Sequence, residues 1–215
     1  MLPARMPENP YLCCSPVLKG VILRSMEEVI GLAGVSAVLN LSGLSSLMKP
    51  AIPLDSDGDV MISYYDLSDT QDTLEQLYGL RSGRGLALKA GRTLFNLSLR
   101  QYGQELGLLD RDFRLQPPAV KIKTGLQRLA LYFNQIGDSV IRLEEDTHQF
   151  RWIVENCPLC WGRRSDVPIC HMQVGMLQEF FYWASGGRNY AIEETECSAM
   201  GARACLFTID KVALD

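Results

Sequence analysis

Five of the seven cysteines fall in the last third of the chain, in the run Cys157-x2-Cys160-x9-Cys170-x26-Cys197-x7-Cys205. Thiolates are soft ligands that select zinc, copper(I) or iron–sulfur centres, and zinc takes four donors tetrahedrally. The opening residues, Met1 to Pro10, carry neither the charged n-region nor the apolar h-region of an export signal. The expected location is therefore cytoplasmic and reducing, where clustered thiols bind metal rather than pair as disulfides. Cys197 and Cys205 flank a predicted turn at Ala199-Met-Gly201, so the connection itself brings them together. Cys170 falls in the first turn of a predicted helix, where free N–H groups and the helix dipole favour thiolate over thiol. Three sulfurs from three elements make part of a tetrahedron. Glu194, Cys157 and Cys160 are the candidates for the fourth donor.

Fingerprints of covalent or redox catalysis are hard to find in the rest of the sequence, although carboxylates could serve in acid–base work. There is no nucleophile elbow, no HExxH and no nicotinamide or flavin fingerprint. The glycines of Gly79-Leu-Arg-Ser-Gly-Arg-Gly85 match neither the dinucleotide fingerprint nor the P-loop, and no strand precedes them. They predict a tight turn that lets the following helix pack closely, with Arg81, Arg84 and Arg92 free to meet an acidic ligand group. His148, in a predicted turn, and His171, beside Cys170, leave little for acid–base work, so binding is favoured over catalysis. A metal fully coordinated by protein has no open position for chemistry and acts as a structural staple. Walls for an apolar pocket are available in Met172, Met176, Phe180 and Trp183 after Cys170, in Trp152 and Trp161 before it, and in Phe95 and Phe133 upstream. Methionines beside aromatics suit an adaptable cavity and an ordinary core equally well.

Bulk properties set the frame for these residues. With 215 residues, 47% apolar and 21% charged, the chain has the composition of a globular protein with one good-sized core. The net charge of −4, with Lys and Arg spread along the chain, argues against a nucleic-acid partner. Residues 29–48 carry no charge and approach membrane-span length, but three glycines, four serines and Asn40 dilute them. They are read as an amphipathic helix running into a bend, and no membrane span is expected.

The elements that must position the site follow from periodicity. Leu18, Val21, Ile22, Met26, Val29, Ile30 and Ala33 share one face of a helix over 17–40, opened by Ser15-Pro16. A bend and short helix follow Asn40, then a polar loop from Pro50 to Asp59. Ser68 to Asp72 predicts the cap of a helix ending near Tyr78, and a long helix covers about 84–106. Residues 107–118 predict a loop, and a further helix spans 119–136. After Gly137-Asp138 the period falls to two, giving strands at Val140–Glu144 and Phe150–Glu155. A helix from Pro168 to Ser185 is stopped by Gly186-Gly187, and strands at 189–197 and 204–210 close the chain. Helices first and then an antiparallel sheet interrupted by one helix define an α+β fold, here stapled by metal.

The tail Glu193-Glu-Thr-Glu-Cys197-Ser-Ala-Met-Gly201-Ala-Arg-Ala-Cys205-Leu-Phe207 resembles the signature that closes the 4-vinyl reductase domain. Asn156-Cys-Pro158, Val167-Pro-Ile-Cys170-His171 and Gly175 are similar to its upstream motifs. Leu39 to Leu44, and Tyr78-Gly79 through Gly91-Arg92, resemble bacterial members regarded as hydrocarbon-binding. The resemblance implies an α+β fold akin to subunits of the TRAPP tethering complex and a homodimer formed through helices. It implies residues 1–60 as a helical segment of the same core and 61–215 as the ligand-binding domain, with the motifs in 150–210. The family is linked to vinyl reduction in bacteriochlorophyll synthesis and to sensing of phenols and other aromatics. In the sensors a structural zinc is held by cysteines and by a glutamate three residues before one of them, which implies Cys170, Glu194, Cys197 and Cys205 here. Two departures stand out. Cys160 is an additional thiol, and a regular strand would put Glu194 and Cys197 on opposite faces unless a bulge intervenes. The expected function is therefore a zinc-containing sensor or carrier for a hydrophobic, aromatic or tetrapyrrole-like molecule. A component of vinyl reduction and a thiol–metal redox sensor are the alternatives.

Overall fold

The computed structural model describes residues 11–48 and 61–214, so the predicted loop from Pro50 to Asp59 lies outside the described residues. The architecture is α+β. A short strand β1 (Cys13–Cys14) leads into α1 (Pro16–Leu41), which ends in a 3-10 turn at Ser45–Met48. Strand β2 (Ile62–Ser63) is followed by α2 (Tyr64–Tyr78), α3 (Leu80–Tyr102), the single turn α4 (Arg111–Arg114) and α5 (Pro118–Ile136). Then come β3 (Val140–Glu145), β4 (Gln149–Glu155), α6 (His171–Ser185), β5 (Tyr190–Glu196) and β6 (Cys205–Ala213). β1 pairs antiparallel with β2, and the other four strands form an antiparallel sheet in the order β3-β4-β6-β5. The last strand thus enters the middle of the sheet, alongside β4, with Val154 opposite Cys205.

Local chemistry explains most boundaries. The Ser15 hydroxyl accepts the Leu18 N–H ahead of Pro16, as the sequence predicts for α1. That helix breaks its geometry at Gly31, whose φ of 72° lies in the left-handed region. No described helix is long and apolar enough to cross a membrane. α6 ends at Gly186 in a left-handed C-cap, where the sequence places its stop.

Four boundaries differ from expectation. Ser63, not Ser68, caps α2, accepting the Asp66 N–H. Gly79 alone separates α2 from α3, so Gly83 and Gly85 lie inside a helix instead of forming a turn. Close packing is nonetheless what Gly83 provides: a Cβ there would sit 2.6 Å from the Glu75 Cα. The predicted loop 107–118 contains α4, whose Phe113 is buried. Finally, α6 starts at His171, so Cys170 is its N-cap residue rather than part of its first turn. Two of the three candidate arginines are engaged internally, Arg84 with Glu75 at 3.7 Å and Arg92 with Gln178 at 2.7 Å.

α6 is the central element. It is buried on most of its circumference, the signature of a helix with protein on nearly every side. Phe181 meets Phe150 and Tyr190 of the sheet, whereas its neighbour Phe180 meets Phe95 of α3. α3 crosses α6 where two glycines face each other's backbones: a Cβ on Gly91 would fall 1.9 Å from the Met172 carbonyl oxygen, and one on Gly175 1.9 Å from that of Leu88. α1 packs over α3, and its Val21, Ile22 and Met26 join the same buried cluster as the sheet residues Trp152 and Phe207.

Candidate functional site

The sheet and α6 bring all five late cysteines to one place. Cys157 and Cys160 sit on the turn that leaves β4, Cys170 caps α6, Cys197 ends the β5 segment and Cys205 begins β6. Asn156 takes a left-handed φ of 53° as the chain enters the turn, a conformation asparagine tolerates better than most residues. α2 clamps this turn from outside. The Ser68 hydroxyl donates to the Leu159 carbonyl at 3.4 Å, and Arg163 meets Asp72 at 2.8 Å and Glu75 at 3.7 Å.

All five thiols are free, and each is at most 2% exposed. Sulfur–sulfur separations are 3.6 Å for Cys157–Cys170, 3.4 Å for Cys160–Cys205, 3.8 Å for Cys170–Cys205, and 4.0 Å from Cys197 to both Cys170 and Cys205. A tetrahedron of thiolates around zinc, with Zn–S of about 2.3 Å, has edges of about 3.8 Å. The thiols are therefore spaced as metal ligands. Two groups of four donors lie within 4.8 Å of one another: Cys157, Cys160, Cys170 and Cys205, and Cys170, Glu194, Cys197 and Cys205. The register of β5 on β6 shifts between Glu194 and Glu196, which supplies the irregularity that lets Glu194 and Cys197 converge.

Glu194 Oε2 accepts the Cys170 N–H at 2.7 Å, while Oε1 is buried without a hydrogen-bond partner. Burial, reinforced by the neighbouring Cys197 and Cys205, pushes its carboxyl up to about 9. Desolvation likewise raises the Cys170 thiol well above its ordinary range. Hydrogen bonds from Cys157, Cys160, Cys170 and Cys197 pull the Cys205 thiol far down, and the Ser198 N–H also points at its sulfur at 3.3 Å. Packed this closely, the donors cannot all be charged without a counter-ion. A divalent cation would replace their protons.

A cavity adjoins the cluster. Leu18 and Ile22 of α1, Tyr64 of α2, Leu94 of α3 and Phe133 of α5 form one side. Ile141, Val154, Pro158, Leu159, Met172 and Met176 form the other, with Ser139 and Gln173 as polar members. About 40 Å³ is open to the centre of a water molecule. Ser139 donates to the Asn156 carbonyl at 3.2 Å, so Tyr64, 2.9 Å away, donates to Ser139. Burial holds the Tyr64 hydroxyl protonated, well above its usual range.

Of the candidate pocket residues, Phe133, Met172 and Met176 line this cavity. Phe95, Phe180 and Trp183 instead build an aromatic cluster with Phe113, which stacks on Trp183 at 6.1 Å. Trp152 is fully buried on β4, and Trp161 packs edge-on against Tyr64 at 6.2 Å. His148 is exposed in the β3–β4 turn. His171 is half-buried, with Nε2 lacking a partner, and burial beside Arg84 and Arg163 pushes it down to about 4. Neither histidine lines the cavity. Tyr64, Ser139 and Gln173 are cavity residues that local sequence did not single out. Tyr64 and Ser139 are 75 residues apart, and only the tertiary fold joins them.

Residues 150–211 match the model of the 4-vinyl reductase domain, the family whose motifs the tail resembles. No curated protein matches the chain by sequence. Among solved structures, the chain is similar to the Fe(II) unliganded H-NOX protein from K. algicida, with 13% identity and a TM-score of 0.60 over 94% of this chain and 98% of that one. An H-NOX structure concerned with heme distortion gives 10% identity and a TM-score of 0.57 over 94% and 97%. The phenol-responsive sensory domain of the transcription activator PoxR, with phenol, gives 15% identity and a TM-score of 0.50 over 71% and 76%. These likenesses are of fold. The cavity does not fit a heme: its free volume of about 40 Å³ suits only a much smaller molecule, no histidine or cysteine among the described residues lines it, and the Tyr64 hydroxyl is bonded to Ser139.

Proposed function

We propose that this chain is a small-molecule-binding sensor or carrier module in which a structural zinc fixes one wall of the ligand cavity. One observation carries the reading: the segments that bear the thiols also form the cavity. Pro158 and Leu159 lie between Cys157 and Cys160, and Met172, Gln173 and Met176 follow Cys170 on α6. Val154, on the same wall, pairs with Cys205. The 4-vinyl reductase domain match and the likeness in fold to a phenol-responsive domain support the same reading.

Zinc suits the donor set, because four thiolate or carboxylate donors close a tetrahedral site and leave no position for catalysis. The ligand is a compact hydrophobic or aromatic molecule with one hydrogen-bonding group, placed between Met172 and Met176 and the Tyr64–Ser139 pair. A tetrapyrrole would require the helices to part. Met176→Trp should fill the cavity and weaken binding of a phenol at least tenfold, with the metal content unchanged, as read by calorimetry and elemental analysis. Undiminished binding would place the ligand elsewhere. Turnover of a divinyl tetrapyrrole with a reductant would favour the vinyl-reduction alternative, and reversible zinc loss under mild peroxide the redox sensor.

The module is proposed to act as a homodimer. Leu77, Tyr78 and Leu80 are exposed where α2 meets α3, close to Gly34 of α1, whose Cβ would lie 2.8 Å from the Tyr78 hydroxyl. Leu32, on the same stretch of α1, is 67% exposed. The double variant Leu32→Glu, Leu80→Glu should shift the mass measured by light scattering from dimer to monomer. A wild-type monomer would remove the dimer from the proposal.

A further inference from the structure

The two groups of four donors overlap in two residues. We propose that the cluster holds two divalent metal ions bridged by the Cys170 and Cys205 thiolates, a reading that rests on the metal-bearing function proposed above. Cys170 and Cys205 belong to both groups. The first ion would take Cys157 and Cys160 as terminal ligands, and the second Cys197 and Glu194. Two tetrahedral ions sharing two donors need six donors in all, and six are present.

A thiolate sulfur has lone pairs enough to bind two metals at once, and the shared edge is in place, with the two sulfurs 3.8 Å apart. Either ion alone would strand donors. Filling the first group leaves Glu194 Oε1 buried and unpartnered beside Cys197. Filling the second leaves the Cys157 and Cys160 thiols uncoordinated, 3.6 and 3.4 Å from metal-bound sulfurs. Charge does not oppose a second ion. Six anionic donors around two divalent ions carry a net −2, the same as four thiolates around one. The second ion therefore neutralises the remaining donors without adding to the buried charge, which is costly when unpaired.

The proposal is tested by titrating metal-depleted full-length protein with cobalt(II), following thiolate-to-cobalt absorption, and by native mass spectrometry of the zinc-loaded chain. Two equivalents per chain are expected for the wild type. One is expected for Cys157→Ser, Cys160→Ser and one for Glu194→Gln, Cys197→Ser, each variant deleting one pair of terminal ligands. X-ray absorption of the zinc-loaded wild type should show a zinc neighbour beyond the sulfur shell. A wild-type break at one equivalent would overturn the two-ion site and leave the single structural zinc standing. Two equivalents retained in both variants would overturn it as well, by placing the second ion elsewhere. No uptake at all would overturn both readings.

Discussion

Cys205→Ser should lower the melting temperature by roughly 10 °C and release the bound metal. Cys205 begins the central strand β6, its sulfur touches those of Cys160, Cys170 and Cys197, and it belongs to both groups of donors. A ligand that binds only the folded state at a thousand times its Kd adds about 4 kcal/mol of stability. In a domain of this size each kcal/mol moves the melting temperature by about 2–4 °C. The variant loses that linkage and leaves neighbouring thiols without an ion. Chelator added to the wild type should reproduce the shift, whereas chelator added to the variant should do little more. Unchanged melting together with unchanged metal content would remove the structural metal from this cluster.

Gly175→Ala should destabilise the fold about as severely, by a route that does not involve the metal. The new methyl group would lie 1.9 Å from the Leu88 carbonyl oxygen. Backbone cannot swing aside as a side-chain tip can, so α3 and α6 must separate along their whole crossing. Overpacking typically costs about 1–3 kcal/mol, and a contact this short between two helices belongs at or above the top of that range. Gly85→Ala is the control. Gly85 is exposed inside α3 with nothing within 4 Å of its absent Cβ, so alanine there should stabilise by up to about 1 kcal/mol through helix propensity. Chemical denaturation of the two variants measures both effects, and equal changes would contradict the crossing geometry.

These two glycines illustrate what the sequence could and could not disclose. Gly83, Gly85, Gly91 and Gly175 share a residue type, and only their neighbours in space tell a close approach from an open face. The strand pairs were legible because alternation is local: Phe150, Trp152 and Val154 are buried and their neighbours are not. The approach of Cys197 to Cys205 was legible for a similar reason, since the turn between them is a local feature. What escaped was long-range. The β1–β2 pair joins Cys13 to Ser63 across a long intervening segment. The clamp of α2 on the cysteine turn unites Ser68 with Leu159, so that serine is a buried donor and not a helix cap. The cavity, too, depends on which face of α6 meets α5 and the sheet. Phe180, Phe95 and Trp183 turn one way and Met172 and Met176 another, a difference that apolar composition alone does not encode.

Whether metal and cavity are coupled is decided by one calorimetric comparison. Metal-loaded protein would be titrated with a series running from phenol to naphthol and biphenylol, and the titration repeated after chelation. Saturable binding of at least one compact member is expected, one per chain, and it should be lost or weakened at least tenfold when the metal is removed from Cys170 and its neighbours. Absence of saturable binding across the series would contradict the proposed ligand class, and binding of equal strength with and without metal would show that the cluster does not shape the cavity.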